Sequence, residues 1–115
     1  MKRWRAYTDY LHDILTYAEK AENFVGDVDL ETFQSNEEKV FAVIRALEVI
    51  GEAARHIPSS VRRRYPQIPW KKIVGMRNVV IHGYFGVDTE VIWRTIQDDL
   101  PPLRRIVDQI LKDLD

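Results

Sequence analysis

The sequence predicts an all-α protein, an up-and-down bundle of four to five helices forming one domain over residues 1–115. Three observations predict it. Apolar residues return every three or four positions through most of the chain, the period of one buried helix face. No stretch alternates apolar and polar residues as a half-buried strand does. The breaks between periodic stretches carry residues that start or stop helices, among them Gly26-Asp27, Ser35-Asn36, Pro58, Pro66, Pro69, Gly83 and Asp88. A chain of 115 residues can bury one small core.

Trp4, Tyr7, Leu11, Ile14, Leu15, Ala18 and Val25 keep helical spacing, so a first long amphipathic helix is expected from Arg3 to about Val25, with His12 structural or facing solvent. Gly26-Asp27-Val28-Asp29 breaks it, and Leu30 to Gln34 reads as a connector whose Phe33 tucks into the core. Ser35-Asn36-Glu37-Glu38 reads as a capping box, in which the serine oxygen accepts from a first-turn amide and Glu38 reaches back. The second long helix then runs from near Asn36 to about His56 and is expected to bury Val40, Phe41, Ile44, Leu47, Ile50 and Ala54. Arg45, Glu48 and Glu52 occupy its neighbouring turns. They form either a surface ion-pair ladder or, at Glu52, a carboxylate that orients a site residue.

Pro58 ends this helix, and Ser59 or Ser60 can cap a short turn through Arg62-Arg63-Arg64-Tyr65. Pro66 and Pro69 frame Gln67-Ile68, and a proline suits the first turn of the third main helix, expected from about Pro69 to His82 with Trp70, Ile73, Val74, Val80 and Ile81 inward. Gly75 lies mid-helix, where glycine costs ~1 kcal/mol relative to alanine. Its expected return is close approach of another backbone, from a neighbouring helix or a second subunit. Asp88 or Thr89 caps the last segment, where Val91, Ile92, Ile96 and Leu100 repeat. Pro101-Pro102 then bends it before Leu103, Ile106, Val107, Ile110, Leu111 and Leu114 continue.

The chain has no cysteine, which excludes disulfides and thiolate metal sites and fits a reducing cytoplasm. No apolar run approaches the ~18 residues of a membrane span, and the first residues lack the apolar core of a signal peptide, so a cytoplasmic protein without membrane contact is expected. The net charge of −1 conceals an uneven distribution. Between Glu52 and Asp88 there is no acidic residue, yet Arg55, Arg62, Arg63, Arg64, Lys71, Lys72 and Arg77 all fall there. Localised positive charge in an otherwise acidic chain favours an anion held at one place over general coating of a polyanion.

Inside that basic segment lies Met76-Arg77-Asn78-Val79-Val80-Ile81-His82-Gly83-Tyr84-Phe85-Gly86. Arg77, His82 and Tyr84 are polar groups in an apolar run, costly to bury without partners. Arginine offers a donor fork that matches phosphate oxygens, histidine exchanges a proton near neutral pH, and tyrosine carries a phenol hydroxyl. At about 100° per residue, Arg77 and Tyr84 point almost the same way while His82 lies about 140° from Arg77. Gly83 is placed to stop the helix, putting Arg77 on its last turns, His82 at its end and Tyr84 just beyond. A two-fold dimer would bring two copies of the motif to one cleft. From spacing alone a structural account competes: His82 as a helix cap, Arg77 paired with Glu52, Tyr84 as a core ring.

Arg77, His82 and Tyr84 reproduce the Arg-x4-His-x-Tyr motif, and the chain resembles the HepT-like toxins, a branch of the all-helical HEPN superfamily. Its flanks resemble the family pattern too: Ile50-Gly51-Glu52-Ala53-Ala54, Tyr65-Pro66-Gln67-Ile68-Pro69-Trp70, Gly75-Met76-Arg77-Asn78 and Tyr84-Phe85-Gly86-Val87-Asp88. The similarity runs from about Tyr10 to about Leu111. It implies a homodimeric, metal-independent endoribonuclease toxin with the motif in a shared cleft and RNA, whether tRNA or mRNA, as substrate. It also implies a minimal nucleotidyltransferase antitoxin, MntA-like, that silences the nuclease by attaching AMP to the motif tyrosine, here Tyr84.

On RNA, attack by a 2′-hydroxyl on its neighbouring phosphorus needs a base, an acid and a cation. Arg77 is the candidate phosphate holder and His82 the candidate proton carrier, with Asn78, Glu52 and Arg45 as candidate substrate-binding or supporting residues. Since one chain supplies one His82, base and acid from histidine alone would require both subunits. No cofactor is implied, and no metal site is visible, because His12, His56 and His82 are dispersed. The alternative is a non-catalytic HEPN subunit that uses the same basic cleft to bind a nucleotidyltransferase or a nucleotide.

Overall fold

A computed structural model of the chain describes residues 6–81 and 88–114, with the backbone alone for 78–81. The described residues are helical with no strand: α1 (Tyr7–Val25), α2 (Leu30–Ser35), α3 (Glu37–Arg55), α4 (Ser59–Arg62), α5 (Trp70–Ile81), α6 (Thr89–Arg94) and α7 (Leu100–Asp113). Helix α3 lies between α1 and α5, and α7 packs on the other side of α1. The α1–α3 pair is antiparallel. At one end the Tyr10 and His56 rings stack with centroids 4.5 Å apart, and at the other the Lys39 ammonium donates to the Phe24 carbonyl at 2.8 Å. Leu11, Ile14, Ala18, Ala21 and Val25 of α1 meet Val43, Leu47, Ile50 and Ala54 of α3 in a core closed by Phe33, Ile73, Ile92, Leu103, Val107 and Ile110.

Several local expectations are corrected. The connector 30–34 is the helix α2, capped by Asp29, whose carboxylate accepts from the Thr32 amide at 2.8 Å. Phe33 on it is fully buried, as expected. Asn36, not Ser35, caps α3: its side-chain oxygen accepts from the Lys39 amide at 3.1 Å, while the Ser35 hydroxyl donates back to the Thr32 carbonyl and closes α2. Phe41 is 54% exposed rather than buried. It lies about 160° round the helix from the buried Val43, so the stripe that packs on α1 leaves it on the outer face. At α4 the residue before the helix is Pro58, and neither serine provides a side-chain cap.

The expected bend at Pro101-Pro102 takes another form. Both prolines sit in the first turn of α7, and the chain reaches them from α6 through a wider turn of π-helix geometry, Thr95–Asp99. That turn accommodates amides the prolines cannot supply, and the Thr95 hydroxyl donating to the Val91 carbonyl at 2.8 Å loosens the helix just before it. Asp88 caps α6, accepting from the amides of Glu90 and Val91.

The connector between α3 and α5 is fixed by two side chains. The Arg62 guanidinium donates to the carbonyls of Ala54 and Arg55 at the end of α3 and of Ile57 just beyond it, adding to the few backbone amides that reach them. The Trp70 indole donates to the carbonyls of Arg62 and Tyr65, tying the first turn of α5 to the same connector. Arg62→Ala is therefore expected to lower the stability read from urea unfolding by about 1–3 kcal/mol, the usual worth of hydrogen bonds from a charged donor. Arg63→Ala should stay within about 0.5 kcal/mol of the unchanged chain.

Candidate functional site

Arg77 stands on the last turns of α5, and glycine sets where α5 lies. Gly51 of α3 packs so tightly that a Cβ built on it would be 2.8 Å from the Arg77 amide nitrogen, 3.1 Å from the Arg77 Cβ and 3.2 Å from the Val74 carbonyl oxygen. The two backbones meet at the arginine itself. Gly75 was expected to admit the backbone of a neighbouring helix or of a second subunit, yet a Cβ there meets nothing within 4 Å among the described residues. The first alternative is corrected: between described helices Gly51 carries the contact.

The next residue on α3 is Glu52, and it meets Arg77 across this contact. The Arg77 Nη1 lies 3.1 Å from Glu52 Oε2, with the two side chains 45% and 42% exposed. The other oxygen, Oε1, takes Arg55 Nη2 at 2.8 Å and His56 Nε2 at 3.3 Å. The hydrogen bond from Arg55 is the largest influence holding the Glu52 carboxyl below its ordinary value. Partial burial pulls the other way, and the Arg55 charge, the His56 contact and the Arg77 charge add to the lowering. One carboxylate thus stays charged between two guanidiniums, and Arg77 is held in place while still facing solvent.

Of the predicted site residues, the structure brings Arg77 and Glu52 together. Arg45 is exposed and does not join a ladder with Glu48 or Glu52; it lines a cleft of about 230 Å³ with Tyr10, Asp13, Glu48, Glu52 and His56. The Asn78 backbone continues α5, and its side chain, like His82 and Tyr84, lies outside what is described. Arg55, His56 and Tyr10 were not expected at the site. Arg55 and His56 follow Glu52 at three- and four-residue spacing, a signal present in the sequence, whereas Tyr10 arrives from another helix with no local signal. Among the described residues no group of three His, Cys, Asp or Glu side chains could hold a metal ion, and no helix is long and apolar enough to cross a membrane.

The site is thus a small helical bundle with an oriented, solvent-facing arginine at the edge of a basic segment. The model of the family described as ribonuclease HepT-like matches residues 14–110, and the chain belongs to that family, a HEPN-type fold. It is 45% identical over 106 residues to "Putative RNase MJ0125" of Methanocaldococcus jannaschii, spanning 92% of this chain and 91% of that protein. It is 43% identical over 108 residues to "Probable ribonuclease HepT" of Thermococcus cleftensis, spanning 94% of this chain and 98% of that protein. "Putative RNase TTE0752" of Caldanaerobacter subterraneus is 39% identical over 103 residues, spanning 90% and 92%. No solved structure matches.

Proposed function

We propose that the protein is a metal-independent endoribonuclease acting as a homodimer, the toxin of a HepT/MntA-type pair. The observation that carries this reading is Arg77, pressed onto α3 at Gly51, oriented by Glu52 and still 45% exposed. A guanidinium so placed can keep one edge on Glu52 and offer another to a phosphate. His82, five residues on, takes the proton from the 2′-hydroxyl or returns one to the leaving 5′-oxygen; the 2′-oxygen bonds to phosphorus as the P–O5′ bond breaks. Two subunits supply two copies of His82, one for each proton transfer. Gly75 supports the dimer: it weakens α5 with no close neighbour among the described residues, which suits the approach of a second copy.

Tyr84 is the proposed site where an MntA-like nucleotidyltransferase attaches AMP. A phosphate beside Arg77 would occupy the anion site and repel RNA.

The test is incubation of the purified protein with RNA in the presence of a chelator, alongside His82→Ala. Cleavage that persists in chelator and is lost in the variant, by about 10²-fold or more, supports the reading. An inert wild-type protein that still binds a nucleotidyltransferase points instead to a non-catalytic subunit.

A further inference from the structure

The seven cations between Glu52 and Asp88 are not equivalent once folded. Arg55 and Arg77 share Glu52, Lys72 pairs with Asp99 at 2.8 Å, and Arg62 is spent on the carbonyls that end α3. Arg63, Arg64 and Lys71 remain: all three are exposed, and none makes an ion pair among the described residues. They are also held on a stiff support. The Arg64 and Tyr65 amides donate to the carbonyls of Val61 and Arg62, Val61 and Ile68 are buried, and the indole of Trp70, next in sequence to Lys71, donates to the carbonyls of Arg62 and Tyr65. With the backbone already held, an anion that binds here has to order side chains but not the segment that carries them.

This surface is joined to Arg77 by contacts already described. Arg77 touches Glu52, Glu52 holds Arg55, and the Arg55 carbonyl accepts from Arg62, next in sequence to Arg63 and Arg64. Lys71 precedes Arg77 by six residues of α5, an axial rise of about 9 Å. At about 100° per residue it stands roughly 120° from Arg77 round the helix, so a strand touching both must wrap over the start of α5. A single strand is flexible enough to do so, and its regularly spaced phosphates match separate point charges better than one compact anion would.

We propose that Arg63, Arg64 and Lys71 form a phosphate-holding surface that binds the RNA strand to one side of the bond cut at Arg77. The proposal rests on the ribonuclease reading for the identity of the strand. It makes the contact independent of sequence, because phosphates carry no base information. An acidic protein partner is the competing occupant.

The test uses a 2′-O-methyl RNA oligonucleotide, which lacks the attacking hydroxyl and stays intact, with affinity measured by fluorescence anisotropy from 50 to 200 mM salt, a range chosen because charge contacts dominate there. Each single-strand phosphate contact contributes a slope of about −0.7 to log K against log salt. Arg63→Gln/Arg64→Gln/Lys71→Gln should therefore flatten the slope by about 2, while Arg63→Lys/Arg64→Lys keeps it. An unchanged slope in the glutamine variant, with its urea midpoint intact, overturns the proposal, as does loss of binding to a nucleotidyltransferase with RNA affinity unaltered. Wild-type protein that binds the oligonucleotide with the predicted charge dependence but cuts no RNA removes the ribonuclease reading and leaves this surface standing. Failure to bind the oligonucleotide at all removes the surface.

Discussion

Gly51→Ala is expected to cost the fold about 1–3 kcal/mol, the usual range for overpacking a tight contact, whereas Gly75→Ala should stabilise the isolated subunit by up to about 1 kcal/mol. The asymmetry follows from what each new methyl would meet. At Gly51 it would come within 2.8 Å of the Arg77 amide nitrogen and 3.2 Å of the Val74 carbonyl oxygen. Both are backbone atoms, so no side-chain rotation relieves the clash, and α5 must move off α3 carrying the Arg77 guanidinium away from Glu52. Stability and RNA cleavage should fall together. At Gly75 the methyl meets nothing within 4 Å among the described residues, and the helix gains a better former. If a second subunit packs there, Gly75→Ala weakens association while the monomer's own unfolding midpoint holds or rises. Urea unfolding with sedimentation separates the two readouts. A Gly51→Ala midpoint equal to that of the unchanged chain would refute the contact.

The two glycines also mark how far the sequence can be read. Helix periodicity made α1, α3, α5 and α7 legible, because each buries one stripe of its own side chains, and local pattern records that stripe. Which glycine touches another backbone depends on the rotation of α3 against α5, and no local pattern records it. The same limit explains Phe41. An apolar residue beside Val40 looks like core, but packing on α1 centred the stripe on Val43, Leu47 and Ile50 and turned Phe41 outward. Short-range chemistry was legible in type and shifted in register: a cap before α3 was expected at Ser35 and falls at Asn36, and Asp29, an ordinary cap residue, starts α2. At the site, Arg77 and Glu52 could be singled out by residue type. Their pairing was one of the expectations and is found at 3.1 Å, whereas the sharing of Glu52 with Arg55 and His56 required the fold.

Replacing Arg77 by lysine is expected to lower RNA cleavage by about 10²–10³-fold, the scale of losing one aligned donor to developing charge, although the positive charge is kept. The reason is the division of labour that the Glu52 contact imposes. Arg77 gives Nη1 to Glu52 at 3.1 Å, and a planar guanidinium has further N–H groups to turn toward a phosphate while that bond persists. An ammonium is a single point charge and must choose between carboxylate and phosphate. Glu52→Gln should then act in the opposite sense on binding and on turnover. It removes a negative charge that sits between Arg55 and Arg77, so affinity for an uncleavable RNA should rise. It also weakens the hold on the Arg77 fork, and a displacement near 1 Å can cost up to about 10²-fold in rate, so kcat should fall. A variant merely damaged in its fold would lose both affinity and rate. Measured side by side, tighter binding with slower cleavage assigns Glu52 to positioning Arg77, and weaker binding with slower cleavage would remove that assignment.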